Sequence, residues 1–147
     1  MPIVERFVEA FNGRDVEGLL GCFTDDATYA DLLLGETAAG RDGLRALFER
    51  MMRESGEVEW TIERVAASAE LEMAEWRFRI VISDAIPRSA GRTLSLRGAS
   101  VFEVRDGRCC AYREYFDRGV GLVQLGLEAA PLHRVLSRQP SAAGKGA

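Results

Sequence analysis

The chain has 147 residues, 47% of them hydrophobic and 29% charged, which suits one domain with a core large enough to enclose a cavity. A formal net charge of -4 with a pI near 5.1, and no Lys/Arg stripe interleaved with aromatics, argue against a nucleic-acid partner. The opening "MPIVERFVEAF" is neither a secretory signal nor a transit peptide, and no apolar run is long enough for a bilayer, so no membrane association and a cytoplasmic location are expected.

In "PIVERFVEAFN", Ile3, Phe7, Ala10 and Phe11 recur at helical spacing, with Glu5, Arg6 and Glu9 on the other side, which predicts an amphipathic helix. Asp15 is a plausible N-cap for a second, shorter helix through Leu19, Leu20 and Phe23. "ATYADLLL" alternates as a strand, and "GETAAG" leaves it as a glycine-bounded loop. "GRDGLRALFERMMRES" predicts a third helix with Leu44, Leu47, Phe48 and Met51 on one face and Asp42 near its start.

Strands dominate the rest of the chain: "EVEWTIERVAAS", "ELEMAEWRFRIVIS", "RTLSLRGASVFEVRDG" and "RCCAYREYFD". The last two are joined by "RDGR", whose Asp-Gly pair is a strong hairpin signal. "SDAIPRSAGR" reads as a longer connection over one end of the sheet. "RGVGLVQLGLEAAPLHRVL" is apolar enough to pack, and His133 within it is expected to be partly buried on a short helix. One domain over residues 1–136 is expected, with 137–147 as a disordered tail.

Helices followed by antiparallel strands predict an α+β fold: three N-terminal helices on a strongly curved sheet, enclosing a conical, mostly apolar pocket. Cys22, Cys109 and Cys110 lack C-x-x-C spacing and read as small apolar residues. One histidine without ligand spacing gives no metal site, and "GRDG" lacks the surroundings of a phosphate cradle, so no cofactor is expected.

This layout, with "FVEAFNGRDVEGLLGCFTDDATYADLLLGETAAGRDGLRALFE" and "LRGASVFEVRDGRCCAYREYFD", resembles the nuclear transport factor 2-like superfamily, in particular its SnoaL-like and limonene-epoxide-hydrolase-like branch. The resemblance runs over roughly residues 4 to 120. Against the epoxide hydrolase pattern it implies that Tyr29 and Asp31 stand where a Tyr and an Asn hold the attacking water, that Arg77 keeps an arginine, and that Asp117 keeps the general base of "YFD". Arg79 stands where that family has its second Asp. Against ketosteroid isomerases, Asp31 falls on the proton-shuttling aspartate, Phe7 replaces a tyrosine, and Ser100 falls on a protonated aspartate. SnoaL-type polyketide cyclases use an acidic residue near the end of the last strands, the neighbourhood of Asp117.

Along "TYADLLL" the side chains alternate, so Tyr29, Asp31 and Leu33 share a face; turned into the cone, it brings a phenol and a carboxylate together in an apolar cavity. The bland alternatives are a loop-capping Asp31 and a turn-forming Asp117. In "AEWRFRI" the apolar face carries Trp76, Phe78, Ile80 and Ile82, the other Glu75, Arg77 and Arg79. Either the helices bury the apolar face and leave the arginines solvated, or the arginines enter the cone, Arg77 holds Asp117 ionised and Arg79 meets substrate, while the apolar face forms the homodimer interface common in this superfamily.

The expected function is a cofactor-independent acid/base enzyme acting on a hydrophobic small molecule, such as a polyketide or terpenoid intermediate, by cyclisation, isomerisation or dehydration. Asp31, Asp117, Tyr29 and Arg77 are the expected catalytic residues, with Arg79, Ser100 and Tyr115 contacting substrate. Epoxide opening is the enzymatic alternative, and a non-catalytic binding or dimerisation module the other.

Overall fold

The computed structural model describes residues 1–138; the expected tail, 137–147, lies outside the described residues from residue 139 onward. The first helix, α1 (Ile3–Asn12), begins without a side-chain cap of its own, because Pro2 stands at that position. Glu72, from a strand far along the chain, supplies it: its carboxylate accepts the Ile3 amide at 3.0 Å and the Val4 amide at 2.9 Å. A buried anion at a helix N-terminus satisfies free amides and complements the helix dipole. The second helix, α2 (Val16–Gly21), is capped by Asp15 as its sequence predicts, through the Gly18 amide.

The first strand, β1 (Phe23–Asp31), starts earlier and stops earlier than its alternation suggests. Leu32, Leu33 and Leu34 are a turn rather than strand, closed by Gly35 in the left-handed region at φ 70°. The segment expected as a loop then forms a short edge strand, β2 (Glu36–Ala39), antiparallel to β1. Its four residues carry little apolar periodicity, and only pairing with β1 makes them a strand. The helix α3 (Gly40–Glu54) buries Leu44, Leu47, Phe48 and Met52.

Four longer strands complete the sheet: β3 (Ser55–Ala67), β4 (Leu71–Ile82), β5 (Thr93–Arg105) and β6 (Arg108–Phe116), followed by α4 (Arg118–Gln124) and α5 (Ala129–Leu136). The strand order is β2-β1-β6-β5-β4-β3, all neighbours antiparallel except β1 and β6. The Asp-Gly hairpin forms as expected: Asp106 and Gly107 both have positive φ, 52° and 73°, as a tight two-residue turn between twisted strands requires.

Of the two orientations open for "AEWRFRI", the structure shows the first. Trp76, Ile80 and Ile82 are buried in the core and Phe78 packs against it, so this face is covered within the chain and is not free to serve as a dimer interface. Arg77 and Arg79 lie on the outer face, paired with Glu63 at 2.7 Å and Glu57 at 3.8 Å. The centre of the core is Phe7, fully buried, with ring contacts to Phe11, Phe23, Trp60, Phe102 and Tyr112 at 5.2–6.2 Å. Cys22 and Cys109 are buried thiols whose ionisation is pushed up by burial, consistent with packing rather than reactivity. His133, expected to be partly buried, is exposed on α5, which buries none of its residues.

Candidate functional site

The curved sheet and α3 enclose a predominantly apolar cavity of about 140 Å³. Trp60, Trp76 and Phe78 line it from the β3–β4 side, with Phe11 of α1 beside them. Leu33, Leu34, Glu54, Ile86 and Leu125 line it from the loops, α3 and the segment after α4. Tyr29 and Asp31 of β1 and Glu114 of β6 line the opposite wall, while Arg50 and Glu54 of α3 and Ser55 at the start of β3 add polar groups from the helix side.

Strand pairing brings these groups together. The parallel register sets Tyr29 against Tyr112, and their rings stack at 4.1 Å with an interplanar angle of 18°. Two residues further along each strand, on the same faces, come Asp31 and Glu114. The Asp31 carboxylate bends back to accept the Leu34 amide at 3.1 Å, and Glu114 Oε1 accepts the Leu32 amide at 3.2 Å. The turn after β1 therefore ties both acids to one short stretch of backbone. The loop-capping alternative for Asp31 is realised, yet its side chain also lines the cavity.

Behind the acids runs a buried polar chain. Trp76 Nε1 donates to Ser100 Oγ at 2.8 Å, Ser100 Oγ lies 2.8 Å from Tyr112 Oη, and Tyr112 Oη donates to Glu114 Oε2 at 2.9 Å. Gly98 permits the first link. A Cβ there would lie 2.7 Å from the Trp76 indole and 2.6 Å from the Tyr115 carbonyl oxygen.

The electrostatics separate the two carboxyls. Burial and then the nearby charge of Asp31 push Glu114 up to about 8, against the smaller lowering effect of its hydrogen bonds from Tyr112 and Leu32. Asp31 is raised by burial, but the Leu34 amide and the Arg50 charge oppose the rise. Near neutral pH Glu114 keeps its proton, and the two carboxyls stand in different electrostatic surroundings, an arrangement that can split proton-transfer roles. Burial and both neighbouring carboxyls hold Tyr29 as a neutral phenol.

The remaining residues expected at the site lie elsewhere. Asp117 is the N-cap of α4 and accepts the Val120 amide at 3.1 Å, the turn-forming alternative read from its sequence. The expected pair between Asp117 and Arg77 does not form, because Arg77 points to the outer face and binds Glu63. Arg79 is outside with it, and Tyr115 is 58% exposed, because odd-numbered positions at this end of β6 face away from the cone. Ser100 is buried behind Glu114 rather than lining the cavity. Glu114 is the residue that sequence reasoning missed. Its signal was the alternation of Tyr112, Glu114 and Phe116 along "AYREYFD", which puts Glu114 and Asp117 at opposite parity. Among the described residues no three His, Cys, Asp or Glu side chains converge as a metal site would require, and no helix is long and apolar enough to cross a membrane.

Residues 4–112 match the family model of the SnoaL-like domain. Among solved structures, a protein of ketosteroid isomerase-like fold from Catenulispora acidiphila, in complex with trimethylamine, is 22% identical; the match covers 86% of this chain and 93% of that one, with a TM-score of 0.74. An LEH-like epoxide hydrolase of M. tuberculosis is 23% identical over 92% of each chain, with a TM-score of 0.68. IdmH of Streptomyces antibioticus, a proposed polyketide cyclase, is 21% identical, covering 85% of this chain and 96% of its own, with a TM-score of 0.69. These likenesses establish the nuclear transport factor 2-like fold, on which the chemistry is set by the side chains of the site.

Proposed function

We propose, on the premise that the chain belongs to the SnoaL-like domain family, that it is a cofactor-independent acid/base enzyme in which Asp31 and Glu114 move protons on an apolar small molecule. The observation that carries this reading is the pair itself: two carboxyls on adjacent parallel strands, in a cavity walled by aromatic and aliphatic side chains, with Glu114 displaced to about 8. Ionised Asp31 removes a proton from a carbon made acidic by a neighbouring carbonyl. Protonated Glu114, with the neutral Tyr29 phenol, donates to the oxygen on which negative charge develops. Returning the proton at another carbon isomerises the substrate. Attack by the resulting carbanion on a second carbonyl cyclises it, and loss of a hydroxyl dehydrates it. The aromatic lining suits a polyketide- or terpenoid-like body.

Epoxide opening through an Asp-Arg-Asp relay is not favoured, since Arg77 and Arg79 are both on the outer face. The test is deuterium exchange of α-protons in apolar cyclic ketones such as 1-indanone and 2-decalone, followed by NMR across pH. Asp31→Asn and Glu114→Gln are expected to reduce exchange by about 10²–10⁴-fold, the usual worth of a positioned acid or base, while Asp117→Asn leaves it unchanged. Activity in both cavity variants with loss in Asp117→Asn would reverse the assignment.

A further inference from the structure

We propose that Ser100 and Tyr112 are positioning residues that keep the acid proton of Glu114 on Oε1, the oxygen beside the Asp31–Leu32 peptide. This rests on Glu114 being the acid of the site and adds which of its two oxygens delivers the proton, and why.

The direction of the buried polar chain is set at Trp76. An indole nitrogen only donates, so Ser100 Oγ must be the acceptor of that bond, and its own hydrogen is left for its other neighbour. That neighbour is Tyr112 Oη, 2.8 Å away, which therefore accepts from Ser100 and turns its hydrogen to Glu114 Oε2 at 2.9 Å. Every donor in the chain is thereby committed in one direction, from Trp76 to Glu114. The opposite polarity would leave the Ser100 hydrogen without a partner in a residue 1% exposed, which is costly. Because the chain ends on a nitrogen that cannot accept, it holds this polarity and conducts no proton.

The consequence falls on the carboxyl group. In a protonated carboxyl, the carbonyl oxygen is the better acceptor and the hydroxyl oxygen the poorer one. The short bond from the buried Tyr112 hydroxyl claims Oε2 as the carbonyl oxygen, whereas Oε1 accepts only the longer bond, 3.2 Å, from the Leu32 amide. The acid proton therefore sits on Oε1. The Leu32 amide belongs to the peptide that follows Asp31 directly, so the proton to be given lies next to the carboxylate that takes one. A substrate bridging the two meets the base and the acid hydrogen on the same side of the cavity.

Infrared difference spectroscopy of protein labelled with 13C at glutamate carboxyls, read near pH 6, tests this, with Glu114→Gln identifying the protonated Glu114 carbonyl band. In Tyr112→Phe the carbonyl loses its hydroxyl donor. The band is expected to move to higher wavenumber, and the pH at which it disappears to rise by about one unit, since a hydrogen bond to the charged form is removed. Ser100→Ala, which weakens Tyr112 as a donor while leaving it in place, moves both readouts the same way by less, and it decides the matter if Tyr112→Phe does not fold. An unmoved band and titration would overturn the proposal. Loss of ketone exchange in Glu114→Gln with an unmoved band would overturn only the positioning role, whereas undiminished exchange in Glu114→Gln would overturn the acid role beneath it.

Discussion

Glu114 dominates at the scale of single residues because its carboxyl has been moved so far by its surroundings. In the unfolded chain it loses its proton near the ordinary 4.5; in the folded protein it does so near 8. Between these values the unfolded state binds fewer protons than the native state, so stability falls as pH rises, by up to about 1.4 kcal/mol per pH unit from this group alone. The contribution is complete below pH 4.5 and is lost as pH rises through 8. Glu114→Gln is therefore expected to gain on the wild type steadily between about pH 5 and 8 in urea unfolding, and parallel pH profiles for the two proteins would contradict the burial of an ionisable Glu114. The position of Asp31 on the cavity wall was legible from its sequence, because Tyr29 and Asp31 alternate onto one face of a recognisable strand. Glu114 was not, because the eye falls on the carboxylate that ends "REYFD", and Asp117 turns out to start a helix instead.

At the scale of elements, two devices hold the site in shape across long stretches of sequence. Glu72 ties the start of α1 to β4, and removing it by Glu72→Ala leaves two helix amides without their partner. The expected loss is about 1–2 kcal/mol of unfolding free energy, the usual worth of a helix cap; an unchanged denaturation midpoint would show that solvent replaces the carboxylate. Gly98 lets the Trp76 indole lie against β5 within reach of Ser100. Gly98→Ala is expected to cost about 1–3 kcal/mol by overpacking and to displace the indole, visible as altered tryptophan fluorescence and near-UV dichroism. Unaltered spectra would mean that β5 yields instead. The helices and the Asp-Gly hairpin were legible because their signals are local: apolar spacing, an Asp cap and a turn that requires positive φ. The edge strand β2 and the Leu32–Leu34 turn were not, since pairing with β1 and the grip of Asp31 on the Leu34 amide decide them.

At the scale of the whole molecule, the cone is what encloses an ordinary pair of acidic residues in an apolar cavity, the arrangement on which the proposed proton transfer rests. The α+β layout follows from the order of periodicities along the chain, and the apolar side of "AEWRFRI" turns inward because the helices need a surface to cover. The meeting of Asp31 with Glu114 depends instead on β1 lying parallel beside β6, across more than half the chain, and no local pattern announces that pairing. The central claim is that this pairing makes an acid of Glu114 and a base of Asp31 at the same pH. Its most direct test is a 13C NMR titration of protein labelled at glutamate carboxyls. One resonance is expected to titrate near pH 8, to be missing in Glu114→Gln, and to move to lower pH in Asp31→Asn, where the neighbouring charge that raises it is gone. Titration of every glutamate in the ordinary acidic range, or a resonance near pH 8 that ignores Asp31→Asn, would contradict it.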